Sequence, residues 1–427
     1  MNPYLVLVLA VLLAEYALTA GADWLNVRGL QTGLPDEFKD AYNSAKYARS
    51  QSYLRDTTRL SLVVSSLMTA LTLGFILAGG FGGLDRIARS AGFGEIGTGL
   101  VFAALFLFSW HLLHIPFSAY GTFVVEERYG FNKTTPRTFV LDILKAWALG
   151  AVLGAPMLAA ILWFFGRMGA PAWLYCWAAV TVVQLLLSAI APVLIMPLFN
   201  KFPPLAEGEL RSAIEAYARS QGLAMRGISV MDGSRRSGKS NAFFTGFGRF
   251  RRLVLLDTLI ARHTVPELLA VLAHEVGHYK QRHIPKSVVL HIGITGVELF
   301  LLSFFIGSAP LAQAFGLPQP RLYAGLFFFG FLFAPISLCL SVASHALSRR
   351  WEFAADAFAR RTADAEALIA ALKRLSVDNL SNLTPHPFKV LLAYSHPPIL
   401  QRLRALGQDA GKRNSGWNFH RGPSYNK

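Results

Sequence analysis

His274, Glu275 and His278 are the residues whose types and spacing most directly suggest chemistry; residues 268–280 read LLAVLAHEVGHYK. The residues before His274 are strong helix formers. On a helix, histidines at i and i+4 project from one face, offering two neutral nitrogen ligands to Zn²⁺. Glu275, beside them, reaches a water at that ion but not readily the ion itself.

A catalytic zinc takes three protein ligands and keeps one position open. The extended pattern HExxHxxGxxH is not completed: Gln281 stands at its glycine and Ile284 at its last histidine, with His283 one residue off. The third ligand is therefore His283 or Glu352, the latter in WEFAAD, residues 351–356. Glu352 is favoured because it directly follows the last apolar run, where the chain returns to the face carrying the histidines. Glu352 and Asp356, again i and i+4, share a helical face, so Glu352 binds zinc while Asp356 orients a ligating histidine.

Residues 233–240, GSRRSGKS, match the phosphate-loop pattern letter for letter. That pattern needs a helix directly after it, whose N–H groups face the phosphates. Instead Asn241 to Gly248 hold two glycines and three phenylalanines, a strand and turn. The segment reads as a basic loop between strands, and no nucleotide is expected.

The elements that must position these groups are mostly membrane helices. The chain has 427 residues, 53% hydrophobic and 15% charged. Soluble domains carry about 25% charged residues, so an ordinary soluble enzyme and a disordered chain are both excluded. A spanning helix needs about 20 mostly apolar residues. Seven candidates occur, near 4–20, 60–80, 99–118, 146–166, 173–197, 286–308 and 322–346. The first has a rival reading as a signal peptide, since Ala20-Gly21-Ala22 resembles a cleavage site. No Lys or Arg precedes it and Glu15 interrupts it, so it is read as a span.

The net charge of +16 does not point to nucleic acid, because the basic residues lie between apolar runs. Loops 21–59, 119–138 and 198–285 with the tail 347–427 hold 35 Lys and Arg, against 4 in the loops of the other side. The positive-inside rule then puts the large loop and the tail in the cytosol. The chain thus divides into four regions: spans one to five in 1–197, a cytosolic catalytic segment in 198–285, spans six and seven in 286–346, and a cytosolic catalytic segment and tail in 347–427. Glu15, His111, His114, His291 and Glu298 inside the spans suggest a polar interior. Cys176 and Cys339 lie in apolar runs and form no disulfide framework.

Six blocks occur in order: VVEERYGFNKTT (124–135), PLFNKFPPL (197–205), SNAFFTGF (240–247), AHEVGH (273–278), WEFAAD (351–356) and SHPPILQR (395–402). On these the chain, over about 120–405, resembles the type I CAAX prenyl proteases, membrane zinc enzymes that cleave prenylated C-terminal tails. The resemblance implies an α-dominated polytopic membrane protein. Its seven helices would enclose a chamber, with a gluzincin-type α+β zinc protease domain on the cytosolic face. It implies His274, His278 and Glu352 as zinc ligands and Glu275 as general base. Asn241 and Ala242 would lie on the edge strand that pairs with an extended peptide or protein substrate, lipidated or membrane-inserted. His396 would stabilise the oxyanion, and Arg402 would orient it or the ligand sphere. The chain ends Ser-Tyr-Asn-Lys without an obvious ER-retrieval signal, and its Ala, Gly and Arg richness fits a bacterial inner membrane. Two rival functions are a heat-shock-type quality-control zinc protease, which has fewer spans, and a transporter or channel with structural zinc. The latter calls for an inverted repeat or discontinuous spans, and neither is evident.

Overall fold

The computed structural model describes residues 2–31, 33–223, 227–245 and 252–414. Seven helices among them are long and apolar enough to cross a membrane: Pro3–Arg28, Ser44–Leu77, Glu95–Glu126, Pro136–Arg167, Ala172–Phe199, His283–Phe305 and Leu322–Thr362. The first runs unbroken through the cleavage-like Ala20-Gly21-Ala22, capped by the Asn2 side chain with Pro3 in its first turn. Their apolar stretches are between 0% and 22% buried. The helices therefore meet along narrow seams, with cavities left between them. Ser61, Ser65, His114 and Ser118 line a cavity of about 620 Å³ between the second and third spans. Between the sixth and seventh, Ser287, His291, Ser337 and Ser341 line one of about 490 Å³ that reaches His278 and His283. Glu15 is exposed on the first helix.

Two helices outrun the apolar runs that announced them. The second begins at Ser44, well before residue 60. The seventh continues through Glu352 and Asp356 to Thr362, 41 residues and about 60 Å at 1.5 Å per residue. Hydropathy marks where the bilayer ends, not where the helix ends. The sequence from 347 to 362 contains no glycine or proline to stop it.

A small α+β layer sits at the end of the bundle where these helices project. Its strands are β1 (Gly227–Met231), β2 (Ala242–Thr245) and β3 (Arg252–Leu256), in the order β1-β3-β2. β1 pairs parallel with β3, Ile228 opposite Leu253, and β2 antiparallel, Ala242 opposite Leu255. The outer edge of β1 is covered by residues 203–205, with Leu205 N–H donating to Ile228 O and Val230 N–H to Pro203 O. Among the described residues no strand covers the outer edge of β2. Leu253 and Leu255 pack with Leu268, Leu272 and Val276 of the HExxH helix, Val265–Lys280. That helix starts with a capping box, the Thr264 hydroxyl meeting the Glu267 N–H and the Glu267 carboxylate meeting the Thr264 N–H.

Candidate metal centre

The HExxH helix lies directly on the far part of the seventh helix, and a glycine permits it. A Cβ on Gly277 would meet the Ala355 Cα and O at 3.0 Å and the Phe358 Cβ at 3.1 Å. With Gly277 opposite the fully buried Ala355, the two backbones close to near contact. His274 and His278 then face Glu352.

Three donor atoms converge. His274 Nε2 and His278 Nε2 are 3.1 Å apart. Glu352 Oε2 lies 3.4 Å from the first, and its Oε1 3.2 Å from the second. Tetrahedral N and O ligands at about 2.0–2.2 Å from an ion stand about 3.3–3.6 Å from one another, so the set is spaced for one ion. The buried Glu352 Oε2 has no hydrogen-bond partner. That buried oxygen, 3.4 Å from His274 Nε2, fits a metal cation as its partner. These three residues are the His/Cys/Asp/Glu cluster able to hold a metal among the described residues.

The partners behind the set are ordered. His274 Nδ1 is 2.8 Å from Asp356 Oδ1. Arg402 grips Asp356 with both arms, Nε to Oδ2 at 2.8 Å and Nη2 to Oδ1 at 2.6 Å, and its Nη1 is 3.6 Å from Glu352 Oε2. Asp356 and Arg402 are both buried. Of the two alternatives the resemblance left for Arg402, the ligand sphere is where it sits. His283 lies outside the donor cluster, behind His278, with Nδ1 to Nδ1 at 3.0 Å.

The centre opens into a cleft of about 840 Å³ whose lining includes Asn241, Ala242, Glu275, Glu352 and His396. Burial pushes the Glu275 carboxyl above its usual range, against the opposing pull of His274 and His278. His396 Nε2 is 3.4 Å from Glu352 Oε1, and its ring stays 65% exposed toward the cleft, Nδ1 meeting the Ser395 hydroxyl at 3.0 Å. Asn241 O accepts from Leu256 N–H of β3. In an antiparallel ladder the next residue points the other way, so the Ala242 N–H and C=O face the cleft. The Ala242 N–H is met by the Asn241 Oδ1 at 2.8 Å. Gly246 and Phe247, which close the SNAFFTGF block, lie outside the described residues.

The phosphate-loop lookalike leads into β2 rather than a helix. Its Lys239 is engaged by Glu126 Oε1 at 3.1 Å and Tyr53 Oη at 2.8 Å, and lies over the Phe131 ring. The loop's Arg236 makes two hydrogen bonds to Asp142 at 2.9 and 3.0 Å. These basic residues tie the α+β layer to the second, third and fourth spans. Sequence reasoning missed this role, although Glu126 stands in the VVEERYGFNKTT block.

Residues 23–201 match the CAAX prenyl protease N-terminal family, described as five membrane helices, and residues 204–410 match peptidase family M48. A probable CAAX prenyl protease 1 of Schizosaccharomyces pombe is 37% identical over 384 residues, 87% of this chain and 81% of that protein. The human CAAX prenyl protease 1 homolog is 34% identical over 424 residues, 88% of this chain and 89% of that protein. The crystal structure of S. mikatae Ste24p superposes with a TM-score of 0.91 at 30% identity, over 95% of this chain and 100% of that one.

Proposed function

Because the chain belongs to peptidase family M48, with the membrane region of the CAAX prenyl proteases, we propose that it is a zinc enzyme that cleaves lipidated peptides near their C-terminus. It is an integral, multi-pass membrane metalloendopeptidase acting on peptide or protein substrates. The observation that carries the zinc reading is the His274, His278 and Glu352 donor set at ion spacing, opening on a cleft beside a strand edge that no other strand covers among the described residues. The N/O donor chemistry and the HExxH spacing favour zinc over harder cations.

His274, His278 and Glu352 would hold the ion. When bound, zinc polarises the scissile carbonyl and makes a water acidic enough to react near neutral pH. Glu275 takes the proton of the attacking water and returns it to the leaving amine. His396 donates to the developing oxyanion from the open side of the site. The peptide lies extended along β2, where the Ala242 carbonyl accepts its N–H. The Asn241 side chain swings away as the substrate carbonyl takes over the Ala242 N–H. Arg402 holds Asp356, and Asp356 holds His274 by its Nδ1–H.

Support for a lipidated substrate comes from the cavity between the sixth and seventh spans, which runs from His278 into the membrane region. The 35-to-4 split of basic residues supports a cytosolic site, and the composition supports a bacterial inner membrane. The heat-shock-type alternative is not favoured, since the match extends through the membrane region as well as the peptidase segment.

The test compares cleavage of a farnesylated peptide and its unmodified twin by the detergent-purified protein, alongside Glu275→Gln. Zinc-dependent cleavage that prefers the farnesylated peptide, with a Gln variant that keeps zinc and loses turnover, is the expected result. Equal cleavage of both peptides would refute the lipid preference, and loss of zinc from Glu275→Gln would refute the base assignment.

A further inference from the structure

His283 has no place in the chemistry above, yet its surroundings are specific. It is 4% exposed. Its Nδ1 is 3.0 Å from the Nδ1 of His278, with the two rings at 75°. Its ring lies flat on Trp351, centroids 5.1 Å apart and planes 11° from parallel. Trp351 directly precedes Glu352, so the seventh helix fixes the plane of the His283 ring.

The backbone makes an unusual turn to bring it there. The HExxH helix ends at Lys280, and Arg282 adopts φ of +58°, one of only two non-glycine residues with positive φ in the described chain. A left-handed arginine is strained, and such strain persists where surrounding structure demands it. The turn restarts the chain as the sixth span with His283 as its first residue, facing back under His278.

The role of His283 rests on the reading that His278 ligates through Nε2. A neutral imidazole offering its Nε2 lone pair carries its proton on Nδ1. The atom opposite that proton must accept it, so His283 presents its Nδ1 lone pair and keeps its own proton on Nε2. We propose that His283 is a positioning residue that accepts the Nδ1–H of His278 and thereby fixes the tautomer and ring plane of that metal ligand. It serves His278 as Asp356 serves His274. The two acceptors differ: Asp356 is an anion clamped by Arg402, whereas His283 is an uncharged ring held by stacking. The centre therefore has one ligand imidazole backed by charge and one that is not.

The experiment uses full-length protein in detergent with His283→Leu and His283→Asn. Asn places its Oδ1 where the histidine Nδ1 sits, whereas Leu offers no acceptor, and both lose the stacking on Trp351. Zinc affinity is read by competition with a chelator, and ligand geometry by the visible absorption of the cobalt-substituted protein. His283→Leu is expected to bind zinc about 10–100-fold more weakly, to fill one site at saturating zinc, and to shift the cobalt bands. His283→Asn is expected to restore affinity and bands toward wild type, although both variants lower the unfolding temperature of the zinc-free protein alike. A role in packing alone would make Asn as poor as Leu, and that result overturns the proposal. So does a Leu variant with wild-type affinity and spectrum. A Leu variant that no longer fills the site at saturating zinc would make His283 a ligand instead, which also overturns it. Failure of the underlying reading is separately visible, as a wild-type protein that takes up no zinc.

Discussion

Arg402 and His396 sit in the same block of sequence, six residues apart, but the structure gives them different company. Arg402 is sealed behind the donor set with Asp356, while His396 faces the cleft. Their variants should separate accordingly. His396→Ala is expected to keep its zinc and its KM and to lose about 10²–10³ in kcat, the usual cost of one oxyanion donor. Arg402→Ala leaves buried Asp356 without its countercharge, which typically costs about 3–5 kcal/mol of stability. It is expected to lower zinc content and unfolding temperature together. Zinc analysis, thermal unfolding and steady-state kinetics on both variants distinguish these outcomes; an Arg402→Ala protein with full zinc and only a kcat defect would move Arg402 to the oxyanion. Much of this was legible in the sequence. The His274/His278 and Glu352/Asp356 pairs follow helical spacing, where i and i+4 share a face. Two relations were not legible. The His283–His278 contact crosses a helix break at an interval of five, and no periodicity announces it. The Arg402 clamp joins residues 46 apart.

At the scale of elements, the site depends on how closely two helices approach. Gly277 stands directly before His278, and it meets the Ala355 backbone and the Phe358 Cβ, neither of them the far end of a flexible side chain that could yield. Gly277→Val would force the HExxH helix away from the seventh helix. Overpacking of this kind costs about 1–3 kcal/mol. Here it should also pull His274 and His278 from Glu352, so zinc affinity should fall in step with the unfolding temperature. Titration of the variant with zinc checks this, and a destabilised variant with unchanged zinc affinity would sever helix spacing from the donor set. The existence of these helices was readable from their propensity and apolar period. Their ends were less so: the seventh helix passes the apolar limit at 346 because nothing in its sequence stops it. The opposite lesson comes from residues 233–240, where a letter-perfect phosphate-loop pattern precedes a strand, and Lys239 is spent on Glu126 and Tyr53 instead.

For the whole molecule, hydropathy and the distribution of basic residues were enough to find seven spans, because the bilayer demands long apolar runs of any sequence that crosses it. The joints between bundle and α+β layer were invisible, since pairs such as Arg236–Asp142 join residues 94 apart. One of those joints is not a joint at all. The seventh helix is a single rod, and Glu352 rides on it 30 residues, about 45 Å, from the end that enters at Leu322. Such a rod answers to the thickness of the bilayer around it, because a mismatched helix tilts or bends to fit, and Pro335 offers a place to bend. The HExxH helix lies beyond the apolar runs and is tied to them by a different span, the sixth, through the two-residue break at 281–282. Lipid thickness thus becomes a dial on the separation of one metal-facing carboxylate from two imidazoles. Reconstituted into vesicles of graded acyl length, the enzyme should work best at one thickness and release zinc to a chelator faster on either side of it. A flat profile would mean that the bundle holds the rod upright whatever surrounds it.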